Sequence, residues 1–458
     1  MTMQDLTRDI WKALDGPDAQ LNALTITGDG ALSSAFPVTD FAGASVAAAA
    51  LAMAELVAQT SSQAPVVTVD RRLSSFWFGM SIRPRGWTMP PAWDPIAGDY
   101  KTSDGWIRLH TNAPHHRAAA QRVLGPHADK AAMAPAVAAW HKSDLEAAIV
   151  NEGGCAAEMR SVEDWLAHPQ GQAVAVEPLV QASVHDKTSA SAWTPQPQRP
   201  LKGLRVLDLT RVLAGPVGSR FLAGYGADVL RIDPLDWDEP GVIPEVTLGK
   251  HCARLDLKSA DGRRTFEELL SQADVLLHGY RPGALDGLGY DQEKRRAIAP
   301  TLIDVSLCAY GWSGPWTRRR GFDSLVQMSA GIAQAGMTWK KADVPTPLPV
   351  QALDHATGYL IAAATVRALI LRLTSGRPTT ARLSLARTAK LLTDMGLQSS
   401  SMAFVPEQAS DLAPAIEETT WGEAQRVSPP AIVAGAPMRW DVPARRLGSA
   451  QPAWQQRA

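Results

Sequence analysis

The stretch LPVQALDHATGYLIAAATVRALILRL, residues 348–373, holds one acid, Asp354, and runs straight on into an apolar segment. Aspartate is a preferred helix N-cap, and a helix is expected to begin just after it. The same placement suits chemistry. A carboxylate at a helix start, walled by apolar residues, is oriented, partly desolvated and close to free N–H groups, so it can serve as a covalent nucleophile. FPVTDFAGASVAAAALAMAEL, residues 36–56, has the same form around Asp40. Both runs lead, after a polar gap, to a short strand, PVVTVDRR at 65–72 and TARLSLAR at 380–387, which reads as an internal repeat.

A second candidate lies in LRVLDLTRVLAGPVGSRFLAGYGADVLRIDP, a strand, a glycine-bearing turn and a helix. The helix start presents N–H groups to an anion or a developing oxyanion. The N–H groups near Ala214 and those after Asp354 are the expected oxyanion donors. Gly215 and Gly218 are the only suitably placed glycines, so the dinucleotide fingerprint GxGxxG is absent. Asp233, ending the second strand, could meet a ribose. Basic segments follow: Lys250 and Lys258, then Tyr280 with Arg281, then Arg318, Arg319 and Arg320. Singly these are ordinary surface charges. Together, near strand ends, they fit a polyphosphate. His115–His116 reads as an exposed helix start, not as a ligand pair.

The elements that must position these residues follow from periodicity. LRVLDLT, ADVLRID, DVLLHGY and TLIDVSLCAYG read as strands, with helices between them. That alternation predicts an α/β fold built on a doubly wound, mostly parallel Rossmann-like sheet, with a second, smaller α+β domain. The expected division is 1–193 as the small domain carrying the degenerate helix copy, 194–203 as a proline-rich linker, 204–400 as the binding and catalytic domain, and 401–458 as an irregular segment. A net charge of −1 over 458 residues gives no field for nucleic acid or an anionic membrane. Arg367 and Arg372 interrupt the run after Asp354, which reads as a buried helix, not a membrane span. The three cysteines are widely spaced and form neither a metal pair nor a disulfide framework, which points to a reducing cytoplasm. The opening residues carry acids and do not read as a signal peptide.

LKGLRVLDLTRVLAGPVGSRFLAGYGADVLRIDP, LDLKSADG, ADVLLHGYRPGALDGLGYD, GWSGPW, RRGFDSLVQ and LDHATG, in that order, resemble the family III CoA-transferases, the CaiB/BaiF family. The resemblance covers about residues 201–393. Residues 98–179 are similar to the family's smaller domain, which ordinarily follows the large one. Leu213 stands where some members carry a polar side chain, and Gly287 where some carry an arginine. The resemblance implies Asp354 as the catalytic aspartate and Leu213 and Ala214 beside the thioester. It implies Leu255, Lys258, Tyr280 and Arg281 as coenzyme A contacts, and Arg320 and Phe322 as ligand contacts. It further implies transfer of CoA from an acyl-CoA to a free carboxylic acid, coenzyme A as substrate with no permanently bound cofactor, no metal, and a homodimer. An acyl-CoA racemase on the same fold and a non-catalytic CoA-binding protein are the alternatives.

Overall fold

The computed structural model describes residues 1–61, 64–188, 193–398 and 402–455. The elements used below begin with β1 (Leu24–Thr27), α1 (Val38–Ala58) and β2 (Val67–Asp70). Next come α2 (Pro114–Leu124) and β3 (Gln181–Val184). The main run is β4 (Arg205–Leu209), α3 (Ala214–Gly224), β5 (Asp228–Asp233), β6 (Lys250–Arg254), α4 (Ala260–Ser271), β7 (Val275–His278) and β8 (Ile303–Cys308). It continues with α5 (Asp323–Ser329), α6 (Ala352–Ser375), β9 (Thr379–Ser384) and α7 (Leu385–Asp394), and β10 (Ala431–Val433) lies near the end.

The central sheet has seven strands in the order β6-β5-β4-β7-β8-β9-β3. All neighbours are parallel except β9 and β3. Its strands are short apolar runs because helices cover both faces. The order reverses between β4 and β7, and the crevice at the carboxyl ends there is where open α/β sheets take ligands. The strands LRVLDLT, ADVLRID, DVLLHGY and TLIDVSLCAYG all appear in this sheet, as does that within 380–387, whereas the one within 65–72 lies in a separate three-stranded sheet.

Two regions depart from the expected division. Gln181–Val184, assigned by sequence to the small domain, is the antiparallel edge strand of the large sheet, in register with Thr379–Arg382. Residues 402–455, expected to be irregular, contribute strands Glu417–Thr419, Gly422–Arg426 and β10. Residues 181–184, Gly422–Arg426 and β10 owe their strand identity to partners far away in the chain, β9, Ile82–Pro84 and β2 respectively, which local composition does not show. Glu417–Thr419 pairs with Gly422–Arg426 as a local antiparallel hairpin. The 400/401 boundary falls outside the described residues. Residues 193–203 contain neither helix nor strand.

The N-terminal unit β1–α1–β2 has the same form as β8–α6–β9. Strands β1 and β2 are parallel, as are β8 and β9. The helix starts agree closely: Pro37 has φ −75° and ψ 66°, Gln351 has φ −78° and ψ 66°. Each start also has the same tight contact, Val38 N–H to Phe36 O and Ala352 N–H to Val350 O, both 2.8 Å. Helices α1 and α6 pack on each other and are long and apolar enough to cross a membrane. However, 89% and 83% of their apolar windows are buried within the protein.

Helix α6 also crosses α3, and two glycines set how closely. A Cβ at Gly358 would lie 2.5 Å from the Ala214 carbonyl oxygen, and one at Gly218 would lie 2.9 Å from that of Gly358. The crossing brings the N-terminal turns of the two helices together. Gly358→Val is expected to force them apart and lower stability by about 1–3 kcal/mol. Urea unfolding of the variant beside Gly358→Ala, which should lose less, checks this.

Candidate active site

A cavity of about 310 Å³ opens at the carboxyl ends of β4, β7 and β8. Seven of the nine residues that the resemblance implies as catalytic or ligand contacts line it: Leu213, Ala214, Tyr280, Arg281, Arg320, Phe322 and Asp354. Leu255 and Lys258 do not. Leu255 is half-buried just after β6, its N–H donating to the Asp233 carbonyl at 3.0 Å. Lys258 is exposed, its N–H on Asp256 Oδ1 at 2.9 Å. Both sit at the carboxyl edge of the same sheet, two strands over from β4, roughly 10 Å away at normal strand spacing.

Asp354 is the third residue of α6, not its N-cap. Gln351 holds the cap position and its side chain makes no capping bond. The cap comes from another element: the Asp354 N–H donates to Asp323 Oδ2 at 3.0 Å. Asp323 Oδ1 accepts from Gln327 Nε2, and Gln327 Oε1 accepts the Leu348 N–H at 2.8 Å. Through these bonds α5 clamps the chain entering α6. Asp323 lies within RRGFDSLVQ, and a Gly-Phe-Asp ahead of a buried helix is the one sign of it in the sequence.

Two acids thus meet in the interior. Asp354 is 5% exposed and Asp323 1%. Burial, then the Asp323 charge, pushes the Asp354 carboxyl well above the ordinary carboxylate range. Burial raises Asp323 as well, against hydrogen bonds that favour its charge. Asp40, at the same place in α1, is bound differently. Arg71 grips its Oδ1 through Nε at 2.9 Å and Nη2 at 2.5 Å. A carboxylate held by a guanidinium is a poor nucleophile, whereas one beside another acid has every reason to react or take a proton.

The turn into α3 forms another wall. Val212 has φ 62°, a strained value for a β-branched residue. Its N–H is held by Glu239 Oε2 at 2.8 Å, and Glu239 is in turn held by Arg231 and Trp237. Leu213 takes the N-cap position of α3 and provides no side-chain cap. The positive end of α3 therefore stands at the cavity through Leu213 and Ala214. The N–H that follows Asp354, on His355, is spent within the helix on the Gln351 carbonyl at 3.2 Å, and the Asp354 N–H itself is taken by Asp323.

Several expectations are corrected. Lys250 is fully buried, 3.2 Å from Asp208 Oδ2 and donating to the Pro216 carbonyl at 2.9 Å, so it supports the sheet and meets no ligand. Asp233 is equally buried, and Arg231 binds both of its oxygens, which leaves nothing for a ribose. Of the three adjacent arginines, Arg319 is structural. It pairs with Glu146 at 2.9 Å and stacks 3.9 Å from Trp316. Arg318 is exposed, and Arg319 and Arg320 both line the cavity. His116 is not exposed but buried, and with His115 it lines the cavity. Arg211, which the sequence did not single out, lines it too and lies over both Trp237 and Tyr280, 4.8 and 5.3 Å from their rings. His355 stacks 5.2 Å from Phe78, away from the cavity lining. Among the described residues no group of three or more His, Cys, Asp or Glu side chains could hold a metal ion.

A switch-point cavity on a doubly wound sheet, with a buried acid facing it, defines a ligand-binding α/β protein with a carboxylate at its centre. Residues 201–455 match the model of CoA-transferase family III, and the chain belongs to that family. It is 31% identical over 252 residues to the succinyl-CoA:glutarate CoA-transferase of Mus musculus, covering 51% of this chain and 55% of that protein. It is 34% identical over 203 residues to a probable fatty acyl-CoA transferase of Mycobacterium tuberculosis, covering 40% and 50%. Over 195 residues it is 33% identical to the formyl-CoA:oxalate CoA-transferase of a Bradyrhizobium species, covering 39% and 44%. The chain spans about half the length of these relatives. A crystal structure of a CaiB/BaiF family protein from Brucella suis aligns with TM-score 0.39 and 26% identity over 49% of this chain and 65% of that one.

Proposed function

We propose that the protein transfers CoA from an acyl-CoA to a free carboxylic acid, with Asp354 as the nucleophile. The observation that carries this reading is the carboxyl of Asp354: buried, lining the cavity, next to an acid instead of a base, and facing the uncapped start of α3.

In this reading the Asp354 carboxylate attacks the thioester carbonyl. The C–S bond breaks, leaving an acyl-aspartyl anhydride and CoA thiolate. The thiolate attacks the aspartyl carbonyl, releasing the donor acid and forming an aspartyl-CoA thioester. The acceptor carboxylate then attacks that thioester and expels CoA thiolate, giving a second anhydride. Attack of the thiolate on the acceptor's carbonyl yields the new acyl-CoA and frees Asp354. The thioester's activation is kept throughout without ATP. An anhydride hydrolyses readily, so the cavity's burial protects the intermediate. The N–H groups at Leu213–Ala214 face the developing oxyanion. Tyr280, Arg281 and Arg320 serve coenzyme A and acyl group, with Phe322 as an apolar wall. Leu255 and Lys258 meet the nucleotide, which is long enough to run along the sheet edge beyond the cavity. The reaction is assigned to the cytoplasm and to a homodimer.

The direct test is chemical trapping. Incubation with an acyl-CoA and hydroxylamine should leave a hydroxamate on Asp354, found by peptide mass spectrometry. No hydroxamate across a broad acyl-CoA panel would favour a binding protein instead.

A further inference from the structure

The first turn of α2 brings His115 and His116 to the cavity that contains Asp354. Helix α2 begins at Pro114, and Ala113 before it offers no side-chain cap, so the helix's positive end stands there unscreened. His116 is 3% exposed, and among the described residues neither of its ring nitrogens has a hydrogen-bond partner. A buried polar side chain on a cavity wall without a protein partner points to a ligand. Burial and the neighbouring His115 and Arg320 charges push His116 down to about 3, so at neutral pH the ring is an uncharged N–H donor.

Its surroundings narrow the ligand's chemistry. Arg320 also lines the cavity and spends Nη1 on the Gly153 carbonyl at 3.3 Å. Phe322 stands between two imidazoles, 3.8 Å from His110 and 5.8 Å from His116, and fixes the wall. Among the residues lining the cavity the only carboxyl group is that of Asp354. Four arginines line the cavity. Arg211 and Arg281, with Tyr280, follow β4 and β7, on the way to Lys258 along the sheet edge, where a nucleotide would run. Arg319 is taken up by Glu146 and Trp316, which leaves Arg320 beside the α2 turn, where its charge acts on His116.

We propose that His116, Arg320 and the start of α2 form a subsite for a second carboxylate on the acyl group, so that the preferred thioesters carry a dicarboxylic acyl chain. This rests on the CoA-transferase reading above. With the thioester carbonyl at Asp354, a short chain delivers its far end to Arg320 and the His116 ring. A monocarboxylic chain leaves the buried imidazole without a partner and the guanidinium with the Gly153 carbonyl alone, which sites built for hydrogen bonding penalise.

The test compares labelling of Asp354 by glutaryl-CoA and valeryl-CoA, equal in chain length, in the wild-type protein, His116→Leu and Arg320→Gln. The wild type should favour glutaryl-CoA by at least ~10-fold in rate over KM, and both variants should bring the ratio close to one. Equal or better labelling by valeryl-CoA in the wild type overturns the subsite and leaves the transferase reading standing, even if a variant fails to fold. Weakened binding of CoA itself in His116→Leu, with the acyl ratio unchanged, assigns the subsite to a phosphate and also overturns it. Should neither thioester label Asp354, the transferase reading falls, and calorimetry with free glutarate and butyrate decides. Tighter glutarate binding that disappears in Arg320→Gln supports the subsite, and equal affinities sink it.

Discussion

Asp354→Asn is expected to form no hydroxamate and to lose transfer activity by at least ~10³-fold, since an amide in place of the carboxylate cannot form the acyl anhydride. The same substitution should make the protein more stable at alkaline pH. The folded carboxyl is raised far above its unfolded value by burial and by Asp323. It keeps its proton at pH values where the unfolded chain has lost it. That contribution is fully present below the unfolded value and is lost as pH rises through the folded one. Asparagine has no proton to lose. The two proteins should therefore unfold alike near pH 4, and the variant should gain on the order of 1–3 kcal/mol by pH 8. Thermal unfolding at the two pH values checks this. A stability difference that does not grow with pH would contradict a buried carboxylate without a cation partner. A variant that still labels would end the mechanism.

The second large effect belongs to Asp323, which acts through Asp354 and not on the substrate. Asp323→Ala removes the acceptor for the Asp354 N–H and for Gln327 Nε2. An orphaned buried donor costs about 1–3 kcal/mol. With the start of α6 released, the carboxyl loses its aim, and single-turnover acylation should fall ~100-fold. Asp323→Asn separates the two roles. It keeps an oxygen for the N–H and removes the charge that holds the Asp354 proton. The acid limb of the kcat/KM profile, where Asp354 loses its proton and becomes a nucleophile, should move to lower pH. A purely structural Asp323 would lower the rate in both variants and leave that limb where it was.

Much of this was legible in the chain. The short, continuous apolar runs marked the strands of the central sheet. Glycine and proline marked their ends, and the βαβ rhythm marked their direction. Asp354 at the head of an apolar helix stood out as the acid proposed to react. These features are local: backbone preference and the side that faces the core are written in neighbouring residues.

Other features needed partners far apart in sequence. Asp40 and Asp354 look alike in the chain, and their helix starts share one backbone geometry. Only the packing decides that one meets Arg71 and the other Asp323. Lys250 and Arg319 read as part of a polyphosphate site, and Asp233 as a ribose contact, until the fold placed each against an opposite charge in the interior. His116 read as exposed until α2 turned it into the cavity. Residues 181–184 became a strand only when β9 presented an open edge. Reactivity and burial are sums over everything that lies nearby in space. The chain therefore settled which elements form and which acid leads a helix. The tertiary contacts settled which acid is left without a cation, and so which one can react.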